Sequence, residues 1–324
     1  MRTRTGWSLI IALIAMLCMG VPAGAQTTEQ RTIAITIDDL PAAAASFMTG
    51  AEIKEMTAKL LGTLKAQGIP ATGFVNEKKL YKLGEVDDRI AALKMWGDNG
   101  FDLGNHTFAH TSLNRGNLKD WEEDVIRGET VTSLLLAQRN LKMRYFRHPY
   151  LDTGRDLQTR REAEAFLVGR GYRIAPVTMD AWDWMYAGVY DDARKRGDTD
   201  LQKKLVSSYL THTTDVFEYY EKLSKTLMGY EPAQILLLHG NWLEAEHIGQ
   251  LVELLRQRGY RFITLAEALG DPAYTLPDEY VGEEGGSWID HWAITRGQPP
   301  RGTPQFPQWV MGLSKALPRL PTQP

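Results

Sequence analysis

The stretch TIAITIDDLP, Thr32–Pro41, is a β-branched and apolar run that ends on two adjacent aspartates and stops at a proline. It reads as a buried strand, and carboxylates at the tip of such a strand call for a use. The next segment, TGAEIKEMTAKLLGTLKAQG (49–68), has helical spacing, with Ile53, Met56, Leu60, Leu61 and Leu64 on one face. Thr49 and Glu52 form a capping box at its start, and Gly68 and Pro70 close it. Outward from this unit the alternation repeats. PATGFVN, a helix through Leu93 and Trp96, GFDLGNH, and a helix through Trp121 and Val125 to Leu136 follow in order. Further strands are expected at MRYFRH, YRIAPVT, QILLLH and YRFITL. About seven strands separated by helices imply an α/β fold with a parallel sheet, most simply a distorted (β/α)7 barrel.

Two segments depart from this alternation. Between Trp184 and Gln234 the chain is longer than one crossover needs, and LQKKLVSSYLTHTTDVFEYYEKLSKTL has helical periodicity, so a helical insertion is expected near 185–230. After Gly270 the chain is rich in Pro, Gly and Trp, and residues 271–324 read as an extended C-terminal tail that packs on the domain or trails from it. The N-terminus reads differently again. Arg2 and Arg4 precede the apolar run LIIALIAMLCMGV and the small-residue site Ala23-Gly24-Ala25, which is the pattern of a secretory signal peptide over residues 1–25. The run is short for a bilayer span and ends in Pro22 and Gly24, so no stable membrane span is expected after cleavage and the catalytic domain is assigned to 26–270. The single cysteine, Cys18, lies in the leader, so the mature chain offers no thiol ligand or disulfide. Loss of two arginines and no acids takes the formal charge from −3 to −5, and no basic nucleic-acid surface is expected.

In parallel barrels chemistry gathers at the C-terminal ends of strands. Here those ends carry Asp38 and Asp39, His106 and His110, Arg147, Asp180 and Asp183, and His239. HTFAH spaces two imidazoles four residues apart, on one side of a helical turn or tight loop. With one carboxylate they make a two-histidine, one-carboxylate metal site with open positions. Such a site uses one of the two aspartates, which leaves the other beside it to take a proton from water.

These motifs together resemble the carbohydrate esterase family 4 polysaccharide deacetylases, the NodB homology domain, over roughly residues 31–269. TIDDL stands where the family has T-F-D-D-G, HTFAH for H-[ST]-x-x-H, RHPY for R-x-P-Y, DAWDW for D-x-x-D-W, and LLLH for L-x-H. The resemblance implies that Asp39, His106 and His110 hold a divalent metal, with zinc first and cobalt, nickel or iron compatible with the same ligands. It further implies Asp38 as general base, Arg147 as its electrostatic partner, and the Tyr150 N–H as an oxyanion donor. His239 would be the general acid, oriented by either Asp180 or Asp183, and Leu237 would wall the acetyl pocket. Leu40 replaces the family's glycine with Pro41 behind it, so a stiffer, bulkier loop and a narrowed or reshaped groove are expected. Gly73 and Asn76 also depart from the family's second strand and are read as carrying no chemistry.

Trp182, Trp184 and Trp242 adjoin the motifs and are candidate sugar-stacking residues. His148, His212, His247 and His291 lack a matching partner and are read as non-catalytic. The function expected is an exported, periplasmic or secreted, metal-dependent N-deacetylase acting on an N-acetylated glycan, of the peptidoglycan or chitin type. Hydrolysis of acetyl esters, small amides or cyclic imides on the same site is the alternative enzyme reading, and an inert glycan-binding protein the non-enzymatic one.

Overall fold

The computed structural model describes residues 31–317, so the expected signal peptide lies outside the described residues. The first strand, β1 (Thr32–Leu40), is buried along nearly its whole length, as its unbroken apolar run requires. Helix α1 (Gly50–Ala66) begins with the expected reciprocal cap between Thr49 and Glu52, and Gly68 leaves it at φ +66°. Strand β2 (Ala71–Val75), helix α2 (Val86–Asp98) and strand β3 (Asp102–Asn105) continue the alternation. All strand pairs run parallel.

The helix expected through Trp121 to Leu136 is broken in two, α3 (Leu118–Arg127) and α4 (Thr130–Ala137). The break falls at Gly128, where a Cβ would lie 2.9 Å from the side chain of Asn105 and from the backbone nitrogen of Phe108. The chain turns there so that its backbone can approach the end of β3. After β4 (Tyr145–Phe146) and α5 (Leu157–Gly169), the single strand expected at YRIAPVT is also divided. β5 (Arg173–Ile174) pairs with β4, and β6 (Met179–Asp180) pairs with a later strand on the opposite side of the sheet. The insertion is the helical pair α6 (Asp183–Lys195) and α7 (Thr199–Met228), packed on each other.

Strand β7 (Gln234–His239), helix α8 (Trp242–Gln257), strand β8 (Arg261–Phe262) and helix α9 (Leu265–Ala268) complete the barrel region. The order β5-β4-β3-β2-β1-β7-β6 curls the sheet into a half-barrel surrounded by helices, a distorted (β/α)7 barrel. β8 pairs only with Thr32 and Ile33, below the point where β2 joins β1 at Ile35. Among the described residues no ladder joins β5 to β6.

Of the two outcomes expected for the C-terminal extension, residues 271–317 take the first and pack on the domain, in part as helices. The extension carries α10 (Trp288–Thr295) against α7 and α11 (Gln308–Ala316) against α6, with Trp288, Ile289, Trp292, Phe306 and Val310 in the main core. Those apolar side chains give the tail enough buried surface to stay docked despite its Pro and Gly content. Among the described residues no helix is long and apolar enough to cross a membrane.

Candidate active site

Successive strand residues face opposite sides, so Asp38 and Asp39 begin pointed apart. The β1–β2 register shifts between Ile37 and Leu40, and Asp39 takes φ +69°. That bulge re-aims the second carboxylate while Asp38 stays in register beside His239 of β7. Asp38 is buried and faces Arg147, whose Nη1 donates to both its oxygens at 3.2–3.3 Å. Arg147 is itself fully buried and held by Nε donation to the Ala175 carbonyl (2.7 Å) and Nη2 donation to Thr36 Oγ1 (3.0 Å). Burial pushes the Asp38 carboxyl up to about 6, against the downward pull of the Arg147 guanidinium.

His106 and His110 sit on a tight loop rather than a helix, with Thr107 and His110 both at φ near +60°. A β-branched threonine in that region is strained, and the loop is over-determined by its bonds. The Thr107 amide donates to Asn105 Oδ1, the Thr111 amide to Thr107 Oγ1, and Asp124 Oδ2 accepts from the Ala109 amide and the Thr111 hydroxyl. Asn76 Nδ2 donates to the His106 carbonyl at 2.5 Å. Asn76, expected to carry no chemistry, therefore supports the loop. A short polar residue at a strand end was the available signal.

Asp39, His106 and His110 place one ligand atom each within 4.8 Å of one another. Burial keeps both imidazoles in the neutral, ligating form, His106 well below its ordinary value and His110 down to about 4. His106 Nδ1 lies 2.8 Å from the Arg147 carbonyl, which directs Nε2 toward the cluster. Burial alone would raise Asp39, but Lys79, with Nζ 2.7 Å from Oδ1, and the nearby histidines hold it well below the usual carboxylate range. Two neutral imidazoles and an ionised carboxylate fit a divalent cation. Lys79 was not among the expected site residues, because nothing in its local sequence marks it.

Opposite this cluster, His239 Nδ1 meets Asp183 Oδ1 at 2.7 Å. Asp183 Oδ2 also accepts from the His239 amide and from Asn241 Nδ2. Burial would lower His239, yet the Asp183 carboxylate, joined by Asp39 and Asp38, raises the imidazolium to about 10. Of the two aspartates left open as its partner, Asp183 makes the contact. Asp180 instead accepts from the Trp182 amide at 2.8 Å and holds that residue's left-handed turn, φ +54°.

Tyr150 and Leu151, at φ +57° and +59°, form a left-handed turn after β4 that costs about 1–2 kcal/mol per residue. The Tyr150 ring packs 4.3 Å from His110, centroid to centroid, and the Arg115 guanidinium lies over it at 4.9 Å from the centroid. Leu237 is buried two residues before His239 on the same face of β7. Trp182 and Trp184 are exposed, and Trp182 stacks on Phe306 at 5.9 Å. Trp242 is 4 % exposed with the Arg194 guanidinium 3.6 Å over its ring, so its place is in packing and it presents no open face to a sugar. His148 stacks on Trp121 and His291 on Tyr280, as buried packing histidines.

Leu40 adds no exposed bulk beside the site. Its side chain is buried over Gly73, where a Cβ would lie 2.3 Å from Leu40 Cδ1. The departures at Leu40 and Gly73 are one packing exchange, bulk added at the first and removed at the second.

Residues 25–166 match the family model described as "Polysaccharide deacetylase". Over these residues the chain carries a polysaccharide deacetylase domain. It is 26 % identical over 256 residues to a chitin deacetylase of Colletotrichum lindemuthianum, covering 78 % of this chain and 86 % of that protein. It is 23 % identical over 238 residues to a peptidoglycan-N-acetylglucosamine deacetylase of Bacillus cereus, covering 72 % of this chain and spanning 66 % of that protein. The fold resembles the solved chitin deacetylase of Colletotrichum lindemuthianum with a TM-score of 0.51 at 23 % identity, over 79 % of this chain and 94 % of that one. A family 4 pseudoenzyme from Bacillus anthracis is equally similar in fold, with a TM-score of 0.51 at 18 % identity over 74 % and 66 % of the two chains. Fold alone therefore leaves activity to be argued from the site itself.

Proposed function

We propose that this protein is an exported, metal-dependent hydrolase that removes acetyl groups from N-acetylated sugars of a peptidoglycan- or chitin-type glycan. The observation that carries this reading is the pairing of unlike groups at one strand end. Asp38, a buried carboxylate, neighbours His239, an imidazole made strongly basic by Asp183, and both adjoin the Asp39, His106 and His110 cluster.

An acetamide is a poor electrophile with a poor leaving group, so its hydrolysis needs an activated water, a polarised carbonyl and a proton for nitrogen. A divalent cation held by Asp39, His106 and His110 supplies Lewis acidity to the carbonyl and acidity to water. Asp38, kept ionised by Arg147, takes the proton from the attacking water. The Tyr150 N–H donates to the oxygen on which negative charge develops. His239, held as imidazolium by Asp183, gives its proton to the departing amine. Trp182, braced from beneath by Phe306, and Trp184 offer aromatic faces to pyranose rings. Leu237 walls the space beside the acetyl methyl.

Asp38→Ala is expected to lower acetate release from N-acetylglucosamine oligomers by at least about 100-fold while metal content stays at the wild-type level. His106→Ala is expected to lose both metal and turnover. Acetate release and metal content, measured on the same samples, decide this, and near-full activity in Asp38→Ala would remove it as the base. Running chitooligosaccharide, peptidoglycan and acetyl-xylan side by side distinguishes amide from ester preference. An inert glycan binder would bind these polymers and release no acetate from any of them.

A further inference from the structure

The C-terminal extension beyond the barrel reaches the strained Tyr150–Leu151 turn and touches it directly. A Cβ on Gly285 would lie 2.3 Å from the Leu151 carbonyl carbon and 2.4 Å from the carbonyl oxygens of both Leu151 and Tyr150. All three are backbone atoms, so no side-chain rotation relieves the overlap. Gly285 has no left-handed φ, and its requirement for glycine is one of space. The Gly285 amide donates to Asp152 Oδ1 at 2.9 Å, and Ser112 Oγ donates to Asp152 Oδ2 at 2.5 Å. Asn114 Nδ2 donates to the carbonyls of Gly282 (3.0 Å) and Glu283 (3.3 Å), while its Oδ1 accepts from the Gly154 amide at 2.7 Å. The segment 278–288 is anchored at its two ends. Arg160 grips Asp278 through two nitrogens and donates to the Tyr280 carbonyl, and Ser287 and Trp288 bond to the Thr178 and Val177 carbonyls.

We propose that residues 278–288 form a strap that holds the Tyr150–Leu151 turn in its left-handed conformation, with Gly285 as a positioning residue for the carbonyl-oxygen site of the deacetylation reaction. The inference rests on the reading of Tyr150 given above. Two consecutive left-handed non-glycine residues persist only where their surroundings over-determine them, and the strap supplies contacts that the barrel's own loops do not. The loop after β3 that carries His106 and His110 also carries Ser112 and Asn114, and the Tyr150 ring packs on His110, so a loss of kcat at unchanged metal content assigns the strap to carbonyl positioning, whereas a loss that tracks metal loss overturns that role.

The test compares Gly285→Ala with Gly286→Ala, a neighbour at which the nearest atom to a Cβ is His291 Nε2 at 4.0 Å. With N-acetylglucosamine oligomers as substrate, Gly285→Ala is expected to lose about 10- to 100-fold in kcat, with KM within about threefold and metal content unchanged. Gly286→Ala is expected to stay within about twofold of wild type. Asn114→Asp, which keeps the acceptor for Gly154 and turns repulsive toward the strap carbonyls, covers the case in which Gly285→Ala fails to fold, and should lower kcat in the same sense. Hydrogen exchange of the peptide spanning 148–154 supplies a readout free of activity and should quicken in Gly285→Ala and Asn114→Asp. Folded variants with kcat within twofold of wild type, or unchanged exchange at 148–154, overturn the strap. A wild-type enzyme that releases no acetate overturns the proposed function instead, and the exchange measurement still decides the strap.

Discussion

At the residue scale, two adjacent carboxylates have opposite electrostatic fates because their neighbours differ. Asp38 is raised by burial and steadied by one guanidinium, while Asp39 is held low by Lys79 and the histidines around it. The Asp183–His239 pair makes a pH prediction. His239 is raised to about 10, so its proton is retained until alkaline pH and the proposed acid function should fail only there. In Asp183→Asn the carboxylate is gone, and the alkaline limb of kcat is expected to fall from near pH 10 toward the ordinary histidine range of about 6.5, with at least a tenfold loss of rate at about pH 8. A pH–rate profile of the two proteins checks it, and an unmoved alkaline limb would remove His239 as the acid. The same linkage has a sign for stability. A raised histidine stabilises the fold fully below about pH 6.5, and that contribution is lost as pH rises through about 10.

At the element scale, β1 and β2 meet through a compensated pair. Gly73→Ala alone would drive a Cβ into Leu40 and Trp96, so it is expected to destabilise by about 1–3 kcal/mol. Leu40→Ala alone opens a cavity in the core and is expected to cost about 2–5 kcal/mol. The double variant lets the new methyl occupy part of the vacated space, so its cost should fall short of the sum by about 1 kcal/mol or more. Urea unfolding of the four proteins measures this coupling, and strict additivity would show that the two positions do not share a packing site. The first helix illustrates the opposite case. Its capping box and buried face involve residues three and four apart, so Thr49, Glu52 and the Ile53–Leu64 stripe were readable directly.

At the scale of the whole molecule, the C-terminal extension belongs to the folded unit. Arg160 is 4 % exposed, and Asp278 is its bidentate partner across the barrel–extension boundary. Asp278→Ala leaves a buried guanidinium whose remaining acidic partner among the described residues is the more exposed Glu164, and is expected to cost about 3 kcal/mol. Burial works against Asp278, but His291 and Arg160 hold its carboxyl down to about 2. A depressed carboxylate stabilises the fold above its unfolded value, and that contribution is lost as pH falls from about 4 through about 2. Chemical denaturation at pH 7 and pH 3 tests both statements. A variant as stable as wild type at pH 7 would show that the extension is not fastened through this pair.

The alternation of buried strands and amphipathic helices, the carboxylate pair on β1, the spaced histidines and the helical insertion were all legible in the sequence, because each is a pattern among residues near one another along the chain. Tertiary structure decided the rest. It chose Asp183 over Asp180 beside His239, placed Lys79 against Asp39, matched Leu40 to Gly73, broke a helix at Gly128 and folded the extension across the Tyr150 turn. Each of these depends on which atoms meet when distant segments pack. Close packing leaves no space for the alternatives, and local periodicity carries no record of those meetings.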